Sequence, residues 1–239
     1  MTADRDDNSG QQEYGPMRSF GRRRSRKLSP RQNDLLEDGL RQLSLDLSKP
    51  CPADLADLFA GATKDTWLEI GFGGGEHLLW QAGDNPQVGF LACEPFIDGV
   101  VKVVDGAESA GLNNIRLHAD DVRDVLPWLP TASIARTFVL FPDPWPKKRH
   151  IKRRLVSPDL IAELARIVRP GGELRLATDI PDYARGMLAA VRKERSFGWL
   201  AREPGDWRAR PSDWPETRYE RKAIREGRKR YFLRFRRFD

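Results

Sequence analysis

Residues 67–78 read Trp67-Leu68-Glu69-Ile70-Gly71-Phe72-Gly73-Gly74-Gly75-Glu76-His77-Leu78: an apolar run, a cluster of glycines and the opening of a helix. Trp67–Ile70 predicts a strand and the residues near 76–83 a helix, so the glycines form the turn between them. The same alternation continues down the chain. Val88–Cys93 reads as a strand, a helix follows near 96–110, and Ile115–His118 and Ile134–Phe141 read as two more strands. Ser157-Pro158 starts a helix with Leu160, Ile161, Leu164, Ile167 and Val168 on one face, and Pro170-Gly171-Gly172 ends it. Glu173–Thr178 is the next strand and Pro181 opens another helix. Tyr231–Phe238 alternates as a last strand, with Arg234 and Arg236 on one side. Strands alternating with helices predict an α/β fold around a mostly parallel sheet. Upstream, Ser29-Pro30 pairs an N-cap residue with proline at the first helical position, and Leu35, Leu36, Leu40, Leu43 and Leu47 recur at helical spacing.

In such a sheet, ligands bind beyond the carboxyl ends of the strands, where glycines let backbone approach them. The dinucleotide fingerprint wants its third glycine three positions after the second, but Glu76 stands there and the glycines fall at 71, 73 and 75. A carboxylate at Glu69 would repel a pyrophosphate and would suit a ligand carrying an ammonium or a sulfonium. The loop therefore favours S-adenosyl-L-methionine over NAD. Glu94 ends the second strand, where a carboxylate can accept from ribose hydroxyls. Asp121, or its neighbour Asp120, follows the third strand within reach of an adenine amino group. Each acid alone reads as an exposed loop residue; three acids ending successive strands point to a cofactor that carries a nucleoside.

A second stretch carries substrate chemistry. The apolar run Phe138–Phe141 stops at Pro142, and Asp143 and Trp145 follow, each flanked by prolines. Lys147 to Arg154 then hold six Lys/Arg in eight positions. An acid and an aromatic on a stiff strand-end ledge, beside cations, suit a nucleobase held by its phosphates; the plainer reading is a loop followed by a solvated charge run. The formal charge of +6 and pI near 9.5 point to polyanions such as nucleic acid. Arg18, Arg22, Arg23, Arg24, Arg26 and Lys27 make residues 1–28 a basic arm that is predicted to be flexible. Arg221 through Arg237 add a basic tail. No apolar run is long enough to span a membrane, the N-terminus reads as neither a secretory signal nor a transit peptide, and cytoplasm is the expected compartment. Cys51 and Cys93 supply no disulfide framework or zinc site. His77, His118 and His150 lack metal-ligand spacing and read as scattered core or surface histidines.

Leu68–Leu78, Pro142–Arg154, Ala177-Thr178-Asp179 and Thr217-Arg218-Tyr219-Glu220 together resemble the bacterial tRNA guanine-N7 methyltransferase family, over roughly residues 18–239. The resemblance implies a Rossmann-like class I methyltransferase fold with an antiparallel C-terminal strand, filling one domain over residues 29–239. It implies S-adenosyl-L-methionine as cofactor and methyl transfer to N7 of a variable-loop guanine in tRNA, with no required protein partner. By motif position, Glu69, Gly71, Gly73, Gly75, Glu94, Asp121 and Asp143 bind the cofactor, and Asp143 is also catalytic. Lys147, Asp179, Thr217, Arg218, Tyr219 and Glu220 meet the substrate; Arg149, His150, Ile151, Lys152, Arg153 and Arg154 meet the RNA. Asp179 or Glu220 is expected to accept from the guanine N1–H and amino edge, and Trp145 to stack on the base or brace the ledge. The rival readings are a non-catalytic RNA-binding protein on the same scaffold and a methyltransferase for another nucleobase.

Overall fold

A computed structural model describes Arg23, residues 27–61 and residues 63–238. The expected basic arm thus lies outside the described residues, apart from Arg23, Lys27 and Leu28. Ser29 forms a capping box: its hydroxyl accepts from Gln32 N–H, and the Gln32 side chain accepts from Ser29 N–H. Helix α1 (Pro30–Asp34) continues through a π-helical turn (Leu35–Gly39) into α2 (Leu40–Leu43). Leu35, Leu36, Leu40 and Leu43 pack on one core cluster, whereas Leu47 lies past the helix end and packs on the other.

The chain then alternates as β1 (Asp65–Ile70), α3 (Glu76–Asp84), β2 (Val88–Cys93), α4 (Ile97–Ser109), β3 (Ile115–His118), α5 (Val122–Val125) and β4 (Ile134–Leu140). It continues with α6 (Pro158–Ile167), β5 (Val168–Thr178), α7 (Pro181–Glu194), β6 (Phe197–Trp199), α8 (Gly205–Arg208), α9 (Arg218–Arg225) and β7 (Tyr231–Arg237). Strand β5 begins before Pro170-Gly171-Gly172, earlier than the sequence predicts. Val168 is already buried and paired with Ile134, and the register shifts before Arg136 pairs with Glu173. The proline and glycines form an excursion within the strand, with Gly171 at φ +75°.

Among the described residues the strands form one sheet in the order β3-β2-β1-β4-β5-β7-β6, parallel from β3 through β5, with β7 antiparallel to both of its neighbours. Each face is covered, which is why strands such as Val88–Cys93 are buried along their whole length. Trp67, Phe90 and Phe138 face α3 and α4; Leu68, Leu91 and Val139 face α5, α6 and α7. Strand order reverses between β1 and β4, so the loops leaving these two neighbours open a crevice between them. No helix among the described residues is long and apolar enough to cross a membrane.

Helix α4 is pressed against the glycine loop. A Cβ on Gly99 would stand 1.9 Å from the Gly73 carbonyl oxygen, a backbone atom that no rotamer change can move aside. Gly99→Ala is expected to force loop and helix apart at an overpacking cost of about 1–3 kcal/mol, lowering the melting temperature by roughly 3–10 °C. An unchanged thermal melt would mean that the contact yields without cost.

Candidate active site

The crevice is a cavity of about 340 Å³ at the carboxyl ends of β1 to β4. Gly71, Gly73 and Gly75 all have positive φ (+75°, +56° and +81°), a conformation that side chains with a Cβ rarely adopt. Nothing lies within 4 Å of the place where a Gly71 Cβ would stand, so the loop backbone is open at Gly71, whereas Gly73 packs against Tyr219 and Gly75 against Val103. Glu69, Glu94, Asp120, Asp121 and Asp143 all line the same cavity. Their convergence follows from the topology: Ile70 pairs with both Cys93 and Val139, so the residues after β1, β2 and β4 emerge side by side.

Each acid has its own environment. Glu69 is buried, and its Oε2 lies 2.7 Å from His77 Nδ1. Glu94 Oε2 accepts from Gly73 N–H at 2.7 Å and its Oε1 from Phe96 N–H at 2.9 Å, so it braces the glycine loop as well as facing the cavity. Burial pushes the Glu94 carboxyl above its ordinary pKa, the two amides pull it back, and Asp143 and Glu69 push it further up. Asp121 caps α5, accepting from Arg123 N–H and from the Arg123 guanidinium. Asp120 is paired with Arg23 at 2.5 Å. Burial would raise the Asp120 carboxyl, but the hydrogen bonds from Arg23 and the Asp121 amide hold it below its ordinary value.

The ledge after β4 is strained and held from behind. Phe141 (φ +50°) and Trp145 (φ +40°) both occupy the left-handed region, at a cost of about 1–2 kcal/mol each. Between them, Asp143 stands at the cavity mouth, exposed by area yet crowded enough that desolvation raises its pKa. Arg154 Nε donates to the Pro144 carbonyl at 3.0 Å. The same guanidinium pairs with Asp182 at 2.9 Å and lies 4.7 Å over the Tyr183 ring.

The family model described as "Putative methyltransferase" matches residues 63–233. A tRNA (guanine-N(7)-)-methyltransferase of Ruegeria pomeroyi is 48% identical, covering 94% of this chain and 96% of its own. The chain belongs to the tRNA (guanine-N7-)-methyltransferase family. A relative of the same name from Brucella melitensis is 45% identical over 93% of this chain and 97% of its own. The solved 16S rRNA methyltransferase KamB, 17% identical, aligns with a TM-score of 0.54 over 80% of this chain and 95% of that one; it shares the fold.

With the family in hand, the remaining expected site residues divide. Thr217 and Tyr219 line the cavity: Thr217 caps α9 by accepting from Glu220 N–H, and the Tyr219 ring packs beside Gly73. The Arg218 guanidinium lies 5.0 Å over the Tyr219 ring and 3.8 Å from Glu76. Lys147 is exposed and precedes the 3₁₀ turn Lys148–Arg153, away from the cavity lining. Asp179 and Glu220, expected at the guanine edge, do not line the cavity either. Asp179 Oδ2 accepts from Arg228 Nε at 2.6 Å. Glu220 is buried, with its two oxygens 3.3 and 3.1 Å from Arg210 Nε. Desolvation raises its carboxyl while Arg210 opposes the shift.

Arg149 and Lys152 are exposed, and so is Ile151; His150 sits edge-on to Trp145 at 5.8 Å, and the Arg153 guanidinium lies 5.1 Å over the same ring. Arg154 departs from the expected phosphate track. It is 8% exposed, with Nε engaged by the Pro144 carbonyl and Nη2 by Asp182, so its place differs from that of the exposed cations in the same run. The scattered-histidine reading likewise misses the Glu69–His77 pair; the available signal was that His77 lies in the first turn of the helix that follows the glycine loop.

Proposed function

We propose that this chain transfers the methyl group of S-adenosyl-L-methionine to N7 of a variable-loop guanine in tRNA. The observation that carries the reading is the set of four acids, Glu69, Glu94, Asp121 and Asp143, converging on one cavity beside the open backbone at Gly71. Such a set of anionic acceptors fits a nucleoside with a cationic tail and repels a pyrophosphate. When bound there, S-adenosylmethionine supplies an electrophilic methyl group on its sulfonium.

Glu69, beside the open backbone at Gly71, would hold the amino-acid end, Glu94 the ribose and Asp121 the adenine. Guanine N7 carries a lone pair and no proton, so no residue has to act as a base at the attacking atom. The demand on the protein is alignment, which can contribute up to roughly 7–11 kcal/mol in ideal cases, and compensation of positive charge arising on the purine. Asp143, at the cavity mouth on a ledge fixed by Arg154, supplies that negative charge. Thr217 and Tyr219 are the substrate-side groups that share the cavity, while Asp179 and Glu220 are paired with Arg228 and Arg210 outside its lining.

The direct test is to incubate the protein with labelled methyl donor and unmodified tRNA, digest to nucleosides and look for 7-methylguanosine. The product should appear, and replacing the variable-loop guanine should abolish it; label in another nucleoside would overturn the assignment. A non-catalytic RNA-binding role would leave no label at all.

Two Arg154 variants separate positioning from phosphate contact. Arg154→Lys keeps the charge but loses the fork that spans Pro144 and Asp182, and its turnover should fall about tenfold or more. Arg154→Gln removes the charge as well, and it should still leave the salt dependence of tRNA binding unchanged. A slope lowered by about one in Arg154→Gln would return Arg154 to the phosphate track.

A further inference from the structure

We propose that His77 is the positioning residue for Glu69: a neutral imidazole protonated at Nδ1, locked in that tautomer by Gln81, that aims Glu69 at the ammonium of the cofactor. This rests on the reading of the cavity as the S-adenosylmethionine site.

The hydrogen-bond geometry assigns the proton. Gln81 Nε2 donates to the Asp213 carbonyl oxygen at 2.8 Å, and Asn85 Nδ2 donates to Gln81 Oε1 at 3.2 Å. A carbonyl can only accept and an amide NH₂ can only donate, so both ends of the Gln81 amide have fixed identities. The second hydrogen of Gln81 Nε2 then points to His77 Nε2, 3.2 Å away, which must accept. The imidazole proton is left on Nδ1, 2.7 Å from Glu69 Oε2.

His77 and Glu69 are each 3% exposed, so water does not compete for this bond. The ring is also fixed by packing, in T-shaped contact with Phe138 at 4.6 Å and with Trp214 at 6.1 Å. Asp213, at the far end of the chain of bonds, is itself held by Arg175 at 2.7 Å. One Glu69 oxygen is thereby committed to His77, and the other is oriented for a cationic ligand in the cavity that Glu69 lines.

The test uses two ligands that differ at the amino-acid end. S-adenosylhomocysteine carries the ammonium; 5′-methylthioadenosine lacks it. By calorimetry on the full chain, His77→Leu should weaken S-adenosylhomocysteine about tenfold to a hundredfold, the scale of a hydrogen bond to a buried charged group. Binding of 5′-methylthioadenosine should stay unchanged. His77→Asn, whose amide nitrogen can replace Nδ1, should restore most of the loss. Nitrogen NMR provides a readout independent of folding of the variants: with only three histidines in the chain, the His77 signals can be assigned, and Nδ1 should be protonated and Nε2 bare. Equal loss for both ligands, no loss for either, or a proton on Nε2 would overturn the proposal. Glu69→Gln distinguishes the two levels. If it weakens S-adenosylhomocysteine and His77→Leu does not, the His77 role fails while the cofactor reading stands. If the wild-type chain does not bind S-adenosylhomocysteine, the cofactor reading itself fails.

Discussion

Asp143→Ala is expected to lower turnover on tRNA by on the order of 10²-fold or more, and to weaken the methyl donor by a smaller factor because Asp143 lines the same cavity. The carboxylate sits where β4 ends, directly beside the loop leaving β1, because Val139 and Ile70 are register partners. Two left-handed residues and the Arg154–Pro144 bond hold its backbone, so the charge is in place before substrate arrives. Desolvation by the crowded ledge raises its pKa, which means the folded state holds the Asp143 proton more tightly than the unfolded chain does. The stability linked to this group is therefore fully present at low pH and lost as pH rises through the folded value. At neutral pH the ionised carboxylate costs stability, and Asp143→Asn should raise the melting temperature while it lowers turnover. The turnover limb that depends on Asp143 ionisation should also lie at higher pH than an ordinary aspartate would place it. Turnover of Asp143→Ala within a few-fold of the parent would remove Asp143 from the mechanism.

That coupling of charge to backbone marks where sequence reasoning succeeds and where it stops. Val88–Cys93 is legible to the residue as a short apolar run, and Ile115–His118 as an apolar–polar alternation, each bounded by turn residues. Helix starts at Ser29 and Ser157 are legible because capping is a local interaction. Phe197–Trp199 escapes because three residues at a sheet edge carry no period, and its pairing with β7 depends on chain nearly forty positions away. Motif and spacing bring Glu69, Glu94, Asp121 and Asp143 to one cavity, since each lies at or just after the carboxyl end of a strand. They do not separate Arg149 from Arg154 within one charged run: the former is exposed and the latter is folded under the ledge, a difference set by the approach of α7. Nor do they reveal that Glu220 and Asp179 meet arginines. Those partners, Arg210 and Arg228, are brought in by the tertiary course of the C-terminal segment.

Affinity for tRNA should fall on the order of 10³-fold or more between about 50 and 200 mM salt, because each neutralised phosphate releases condensed counterions. The cations available for this are those that the fold leaves exposed. Lys147, Lys148, Arg149 and Lys152 stand on the ledge, and Arg221, Lys222, Arg225 and Lys229 on or just after α9. The two groups flank the cavity through Trp145 on one side and Thr217 and Tyr219 on the other, so a phosphate track between them would carry the RNA across the site. Arg228, Arg236 and Arg154 are already engaged with Asp179, Glu173 and Asp182 and should contribute little. The variants follow this division. Arg149→Gln with Lys152→Gln should reduce the slope of log affinity against log salt by about two, and Lys222→Gln with Arg225→Gln by a similar amount. Arg236→Gln should leave the slope unchanged. Desolvation and then Arg153, Arg149 and Lys147 hold the His150 pKa below its ordinary value, in keeping with the clustering of cations on this surface. A salt response that is flat, or that Arg236→Gln alters as much as the ledge pair does, would show that the RNA approaches from a different face.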